Sequence, residues 1–123
     1  MPADLLIVDD EPSIVAPLRF LMQQQGHTVR IVNDGADVMP AIRERCPDLV
    51  LLDVMLPSRS GYALCEDIRN EPGCRATKII LLTVKSREVD IEKGRALGAD
   101  AYITKPFAIQ DMVDTVAECL ADT

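Results

Sequence analysis

Apolar residues fall along this chain in two rhythms. Leu5 to Val8, Leu49 to Leu52 and Lys78 to Leu82 are short, nearly unbroken apolar runs. Runs of that length without alternation predict strands buried on both faces. His27 to Val32 alternates instead, as an edge strand does, and Ala101 to Thr104 reads as a last short strand. Between these runs the spacing changes to that of a helix. Ile14, Leu18, Leu21 and Met22 share one face of a helix that opens at Pro12 and stops at Gly26. Pro17 lies inside it, so that helix either starts late, near Ser13, or kinks. Ala36 to Arg45 is a second helix, weakened by Pro40, and Tyr62 to Asn70 a third, with Leu64, Cys65 and Ile68 inward. Arg87 to Leu97 is a polar helix with a thin apolar stripe and Gly98 as its C-terminal cap. Ile109, Met112, Val113, Val116 and Leu120 line one face of a closing helix.

Strand and helix therefore alternate five times through the sequence. That order predicts an α/β fold with parallel pairing and right-handed crossovers. At 123 residues and 48% hydrophobic, the chain suits one domain, residues 1–123, with a core of its own. Aromatic residues make up only 3%, so aliphatic side chains must fill that core.

The net charge of -7 disfavours direct contact with nucleic acid or an anionic membrane, since no basic patch offsets phosphate. No apolar run approaches a membrane span, and no signal peptide is visible at Met1 to Asp4. Cys46, Cys65, Cys74 and Cys119 include no CxxC spacing, which predicts reduced thiols in a cytoplasmic protein rather than a zinc site or a disulfide framework. His27 reads as a solvated turn residue.

The candidate chemistry sits where strands end. The first run ends in Asp9, Asp10 and Glu11, the third strand in Asp53, the fourth in Thr83, and the fifth at Lys105-Pro106. In a parallel sheet these ends share one edge, where open α/β sheets hold their ligands. Three carboxylates about 5 Å apart repel by roughly 3 kcal/mol per pair at an effective dielectric of about 20. A divalent cation relieves that repulsion, and an all-oxygen donor set suits Mg²⁺. Lys105 and Thr83 would bind oxygens of a phosphoryl group arriving at Asp53, which is equipment for transfer to a carboxylate nucleophile. Each residue also has a plainer reading. Asp10 could cap the first helix, Thr83 could be an ordinary β-branched strand residue, Lys105 a turn residue, and Tyr102 half-buried packing.

Taken together, the segments Val8-Asp9-Asp10-Glu11-Pro12, Asp53-Val54-Met55-Leu56-Pro57 with Gly61, Leu82-Thr83, and Gly98 through Phe107 resemble those of a response-regulator receiver domain of bacterial two-component signalling. The resemblance runs from Leu5 to Leu120. It implies a doubly wound, flavodoxin-like (βα)5 sheet in strand order 2-1-3-4-5. It implies that Asp53 accepts phosphate from a histidine kinase or phosphotransfer protein. Asp10, Asp53 and the backbone carbonyl of Met55 would ligate Mg²⁺, or Mn²⁺, with Asp9 holding metal waters. Thr83 and Lys105 would bind the phosphoryl oxygens, Lys105-Pro106 would be a cis peptide, and Thr83 and Tyr102 would move as a switch. Such a chain is no enzyme beyond its own phosphorylation and dephosphorylation. It acts on a downstream protein or a fused effector domain.

Two departures from the family pattern change what is expected. Val84 stands where relatives carry a very small residue, beside Lys85 and facing Met55 across the site mouth, so small donors and water should react slowly. Gln110 stands where DNA-binding relatives that dimerise through the last helices carry Arg, so the chain should not form that salt-bridged dimer. The chain is expected to be a monomer when unphosphorylated. The competing readings are a pseudo-receiver that binds partners without phosphorylation, and an enzyme on a similar fold. No GxxxxGK[ST] is present for the latter.

Overall fold

The structure is a computed structural model, and it describes residues 2–84 and 88–121. Five strands, β1 (Asp4–Val8), β2 (Thr28–Val32), β3 (Leu49–Asp53), β4 (Lys78–Thr83) and β5 (Ala101–Thr104), form one sheet in the order β2-β1-β3-β4-β5. Every pairing is parallel. Helices α1 (Pro12–Gln24), α2 (Val38–Glu44), α3 (Gly61–Asn70), α4 (Glu88–Ala96) and α5 (Ile109–Ala121) connect them. This is the doubly wound, flavodoxin-like arrangement expected from the sequence.

The unbroken apolar runs follow from burial on both sides of the sheet. Side chains alternate across a strand, so each run feeds two cores. Leu6, Val8, Val50, Leu52, Ile79 and Leu81 meet Val38 and Ile42 of α2 and Leu64 and Ile68 of α3 on one face. Leu5, Ile7, Leu49, Leu51, Ile80 and Leu82 meet Leu18 and Met22 of α1 and Met112 and Val116 of α5 on the other. All five residues of β3 are buried, whereas the edge strand β2 is only partly covered.

Both prolines inside the expected helices have a local explanation. Pro17 is within α1 and faces solvent, and the helix runs through it. Pro40 occupies the third position of α2, where the backbone hydrogen it lacks has no intrahelical partner anyway. The helix expected from Ala36 accordingly begins as a separate 3₁₀ turn, Gly35–Asp37, before α2 starts at Val38. Gly26 and Gly98 end their helices with φ of 91° and 103°, a conformation costly for any side chain. Gly94, inside α4, has another role. A Cβ there would come within 2.8 Å of Leu81 Cδ1, so the missing side chain lets this polar helix approach the sheet.

Two expectations need correction. Cys46 and Cys74, expected to be reduced, are joined by a disulfide with their Cα atoms 5.6 Å apart. Their separation of 28 residues carries no motif, so it is the tertiary approach of the α2–β3 and α3–β4 connections that brings them together. His27 is half-buried rather than solvated, and its Nδ1 accepts a hydrogen bond of 3.1 Å from Ala3 N. Burial, then the charge of the N-terminus, hold its imidazole below the usual value. Lys85 and Arg87 lie outside the described residues.

Candidate functional site

The register of the sheet brings the strand ends together. Val8 pairs with Leu52, and Asp53 with Leu82, so Asp9, Asp53 and Thr83 emerge on the same edge beside one another. Thr83 pairs with Thr104, which places Lys105 next in line. Asp9, Asp53 and Thr83 are 0%, 3% and 1% exposed, so all three are withdrawn from water although polar. Such burial is costly unless partners compensate.

Lys105 is the main partner. Its Nζ donates to Asp9 Oδ2 at 2.8 Å, lies 3.5 Å from Asp53 Oδ1 and 3.9 Å from Glu11 Oε1. Burial alone would lower this ammonium's pKa, but the bond to Asp9 and the charges of Asp53, Asp9 and Glu11 outweigh it and the net shift is upward. The Lys105-Pro106 peptide bond is cis.

Two local backbone bonds fix the carboxylates. Glu11 N donates to Asp9 Oδ1 at 3.0 Å, and Met55 N donates to Asp53 Oδ1 at 3.1 Å. Glu11 rather than Asp10 takes the N-cap position of α1, so the capping reading of Asp10 does not hold. Asp10 is exposed, and it contributes one carboxylate oxygen to a group in which those of Asp9, Asp10 and Asp53 all lie within 4.8 Å of one another. Burial first, and the neighbouring charge of Asp9 second, push the pKa of Asp53 up to about 6. Both causes disfavour the charged carboxylate, and the Lys105 ammonium 3.5 Å away offsets them only in part. A hard divalent cation with oxygen ligands matches that donor set.

Gly61 closes the wall of the site. A Cβ on it would collide with the carbonyl of Asp53 and come within 2.7 Å of Val54 Cα, while its own N–H donates to Val54 O at 2.9 Å. The loop between β3 and α3 is thereby pressed onto the strand that carries Asp53, and Ser60 caps α3 by accepting from Ala63 N at 3.2 Å. At the mouth, Met55 and Val84 are 62% and 69% exposed.

Tyr102, on β5, is half-buried with its hydroxyl 3.5 Å from that of Tyr62. Tyr62 also donates to Asp90 O at 3.5 Å, and Lys93 Nζ sits 4.5 Å above its ring. Neither Glu11 nor Tyr62 stands out in the sequence. Glu11 is marked only as the third member of the acidic triplet at the end of the first run. Tyr62 reads only as the start of a helix, since nothing in its spacing points to a partner on another element.

Comparison with known proteins gives this fold and this edge of acids a name. The chain matches the response regulator receiver domain family over residues 5–117 and belongs to it. It resembles a response regulator from Chloroflexus aurantiacus at 33% identity and a TM-score of 0.92, over 98% of this chain and 99% of that one. It is also similar to the receiver domain of a signal transduction histidine kinase from Syntrophus aciditrophicus, at 31% identity and a TM-score of 0.88, over 97% of this chain and 90% of that one. The BeF3-activated receiver domain of Klebsiella pneumoniae RstA matches at 27% identity and a TM-score of 0.85, over 95% and 97%. The protein is therefore a receiver domain of two-component signalling, a class of signalling domains whose partners are histidine kinases and, often, fused effector domains. Among the described residues, no helix is long and apolar enough to cross a membrane.

Proposed function

We propose that Asp53 accepts a phosphoryl group from the phosphohistidine of a histidine kinase or phosphotransfer protein, and that this changes the surface the chain offers to a downstream protein or effector domain. The carrying observation is the position of Asp53 Oδ1, buried, 3.5 Å from Lys105 Nζ and grouped with the carboxylates of Asp9 and Asp10. A carboxylate oxygen of Asp53 attacks phosphorus, and the bond from phosphorus to the donor imidazole breaks. Lys105 holds one phosphoryl oxygen electrostatically and the hydroxyl of Thr83 donates to another. Asp10, Asp53 and the Met55 carbonyl would hold Mg²⁺, or Mn²⁺, with Asp9 reaching its waters. When bound, the ion would neutralise the acid cluster and the charge carried by the incoming group. Drawing Thr83 toward the phosphoryl group vacates space into which Tyr102 turns, which biases a two-state equilibrium.

On this reading, residues 1–123 work as one receiver unit in the cytoplasm, monomeric when unphosphorylated, with no catalysis beyond the chain's own phosphate. The test is intact-mass measurement after incubation with a small phosphodonor and Mg²⁺. The chain should gain one phosphoryl group, and neither metal-free protein nor Asp53→Asn should. An unmodified chain that still captured its partner would instead favour a pseudo-receiver.

A further inference from the structure

The sheet has a second edge, at the start of its strands, and the Cys46–Cys74 disulfide sits there. Cys46 lies between α2 and β3, and Cys74 between α3 and β4. Both precede the strands whose far ends carry Asp53 and Thr83, roughly 15 Å away for a five-residue strand. Cys46 is exposed, whereas Cys74 is 1% exposed and packs in the core.

The two connections are also joined by contacts other than the sulfur bond. Thr77 Oγ1 donates to Pro47 O at 2.8 Å, and Lys78 N to Asp48 O at 3.0 Å. Arg43 Nε pairs with Glu71 Oε1 at 3.0 Å just beside them. The two Cα atoms lie 5.6 Å apart, in the middle of the range a disulfide needs. Cys65 is a poor competitor, because burial pushes its thiol up to about 11.

We propose that Cys46 and Cys74 form a reversible thiol–disulfide site, oxidised by low-molecular-weight disulfides and reduced by low-molecular-weight thiols, that sets the stability of the folded chain. Exposure makes Cys46 the point of entry. Its thiolate, having given up a proton, attacks one sulfur of a small disulfide and expels one small thiolate, leaving a mixed disulfide. The Cys74 thiolate then attacks Cys46 Sγ and expels the second small thiolate, which completes the protein disulfide. Two protein thiols and one small disulfide become one protein disulfide and two small thiols. Reduction runs the same steps backwards, beginning with attack on Cys46 Sγ.

The experiment equilibrates the full chain in buffers of varied oxidised-to-reduced glutathione ratio. Differential alkylation, peptide mapping and thermal melting then report each state. The bridge should appear and disappear reversibly with that ratio and should map to residues 46 and 74. Closing a loop of this length should raise the melting temperature by roughly 10 °C. Cys46→Ser, a change at an exposed position, should fold and melt at one temperature in every buffer. A bridge that excess glutathione cannot open in the folded chain, one that maps elsewhere, equal melting of both forms, or a persistent redox shift in Cys46→Ser would each overturn the proposal. None of these readouts involves a phosphoryl group, so they stand or fall apart from the role given to Asp53.

Discussion

Lys105 reaches back across 96 residues of chain to place its Nζ 2.8 Å from Asp9 Oδ2. Asp9 is wholly buried, and apart from this ammonium its described hydrogen bond is the one from Glu11 N. The pair therefore belongs to the architecture as well as to the proposed chemistry, because a buried carboxylate left alone is strongly destabilising. Lys105→Met should cost about 3 kcal/mol in metal-free buffer, read by urea denaturation. The same substitution removes a competing cation from the acid cluster, so calorimetric titration should show tighter Mg²⁺ binding while phosphorylation slows. Unchanged stability would refute the structural role of the pair.

The raised pKa of Asp53 fixes the sign of a pH effect. An unfolded Asp titrates near pH 4, whereas in the folded chain burial and the Asp9 charge hold Asp53 protonated up to about 6. Between those values the folded state carries the extra proton. Raising pH through this window must therefore weaken the metal-free fold, by about 1–3 kcal/mol in all. Asp53→Asn should abolish this contribution and be more stable than the parent at neutral pH. Urea midpoints measured in chelator across the window decide it. If the difference between parent and variant stays constant across that range, the carboxyl is not titrating as described.

Val84 stands 69% exposed directly after Thr83. If Val84 borders the approach to Asp53, its β-branched side chain would narrow it. Val84→Ala should therefore speed both phosphorylation by a small donor and spontaneous loss of the phosphoryl group, with kinase-delivered transfer less affected. Identical time courses for the two proteins would remove Val84 from the mouth of the site.

Tyr62 holds Tyr102 through a hydroxyl contact of 3.5 Å. Tyr62→Phe removes it, along with the bond to Asp90 O, and should cost about 1 kcal/mol of stability. The sequence contains two tyrosines, so fluorotyrosine labelling gives one fluorine signal for each. In Tyr62→Phe the remaining signal, from Tyr102, should move toward its solvent-exposed position before any phosphorylation. A signal that does not shift would show that contacts other than the Tyr62 hydroxyl position Tyr102.

Gln110 spends its side-chain amide locally, donating to Asp114 Oδ1 at 2.8 Å on the same helix. It offers no cation for a salt bridge across an α4-β5-α5 dimer. Gel filtration of the beryllofluoride adduct should therefore give a monomer, and a dimer peak would reverse this expectation.

Much of this was readable along the chain because the physics involved is local. An apolar run such as Leu49 to Leu52 has to be buried on both faces, and alternation with helices has to make the pairing parallel. A parallel sheet in turn gathers Asp9, Asp53, Thr83 and Lys105 at one edge. Pro40 weakened the expectation of a helix that is nonetheless present, because its effect depends on the turn it occupies. The disulfide and the half-burial of His27 were not readable, since each depends on which helices end up side by side.

The sequence by itself determined the order of elements, the buried faces and the set of residues at the strand ends, because each follows from the period of a strand or helix and from strand polarity. Tertiary structure decided which distant groups touch: Tyr62 with Tyr102, Cys46 with Cys74, and Lys105 with Asp9 at bonding distance. Those contacts depend on how closely helices pack on the sheet and on the course of loops between them. Packing and loop course are settled by the whole set of long-range contacts at once, and no short stretch of sequence contains them.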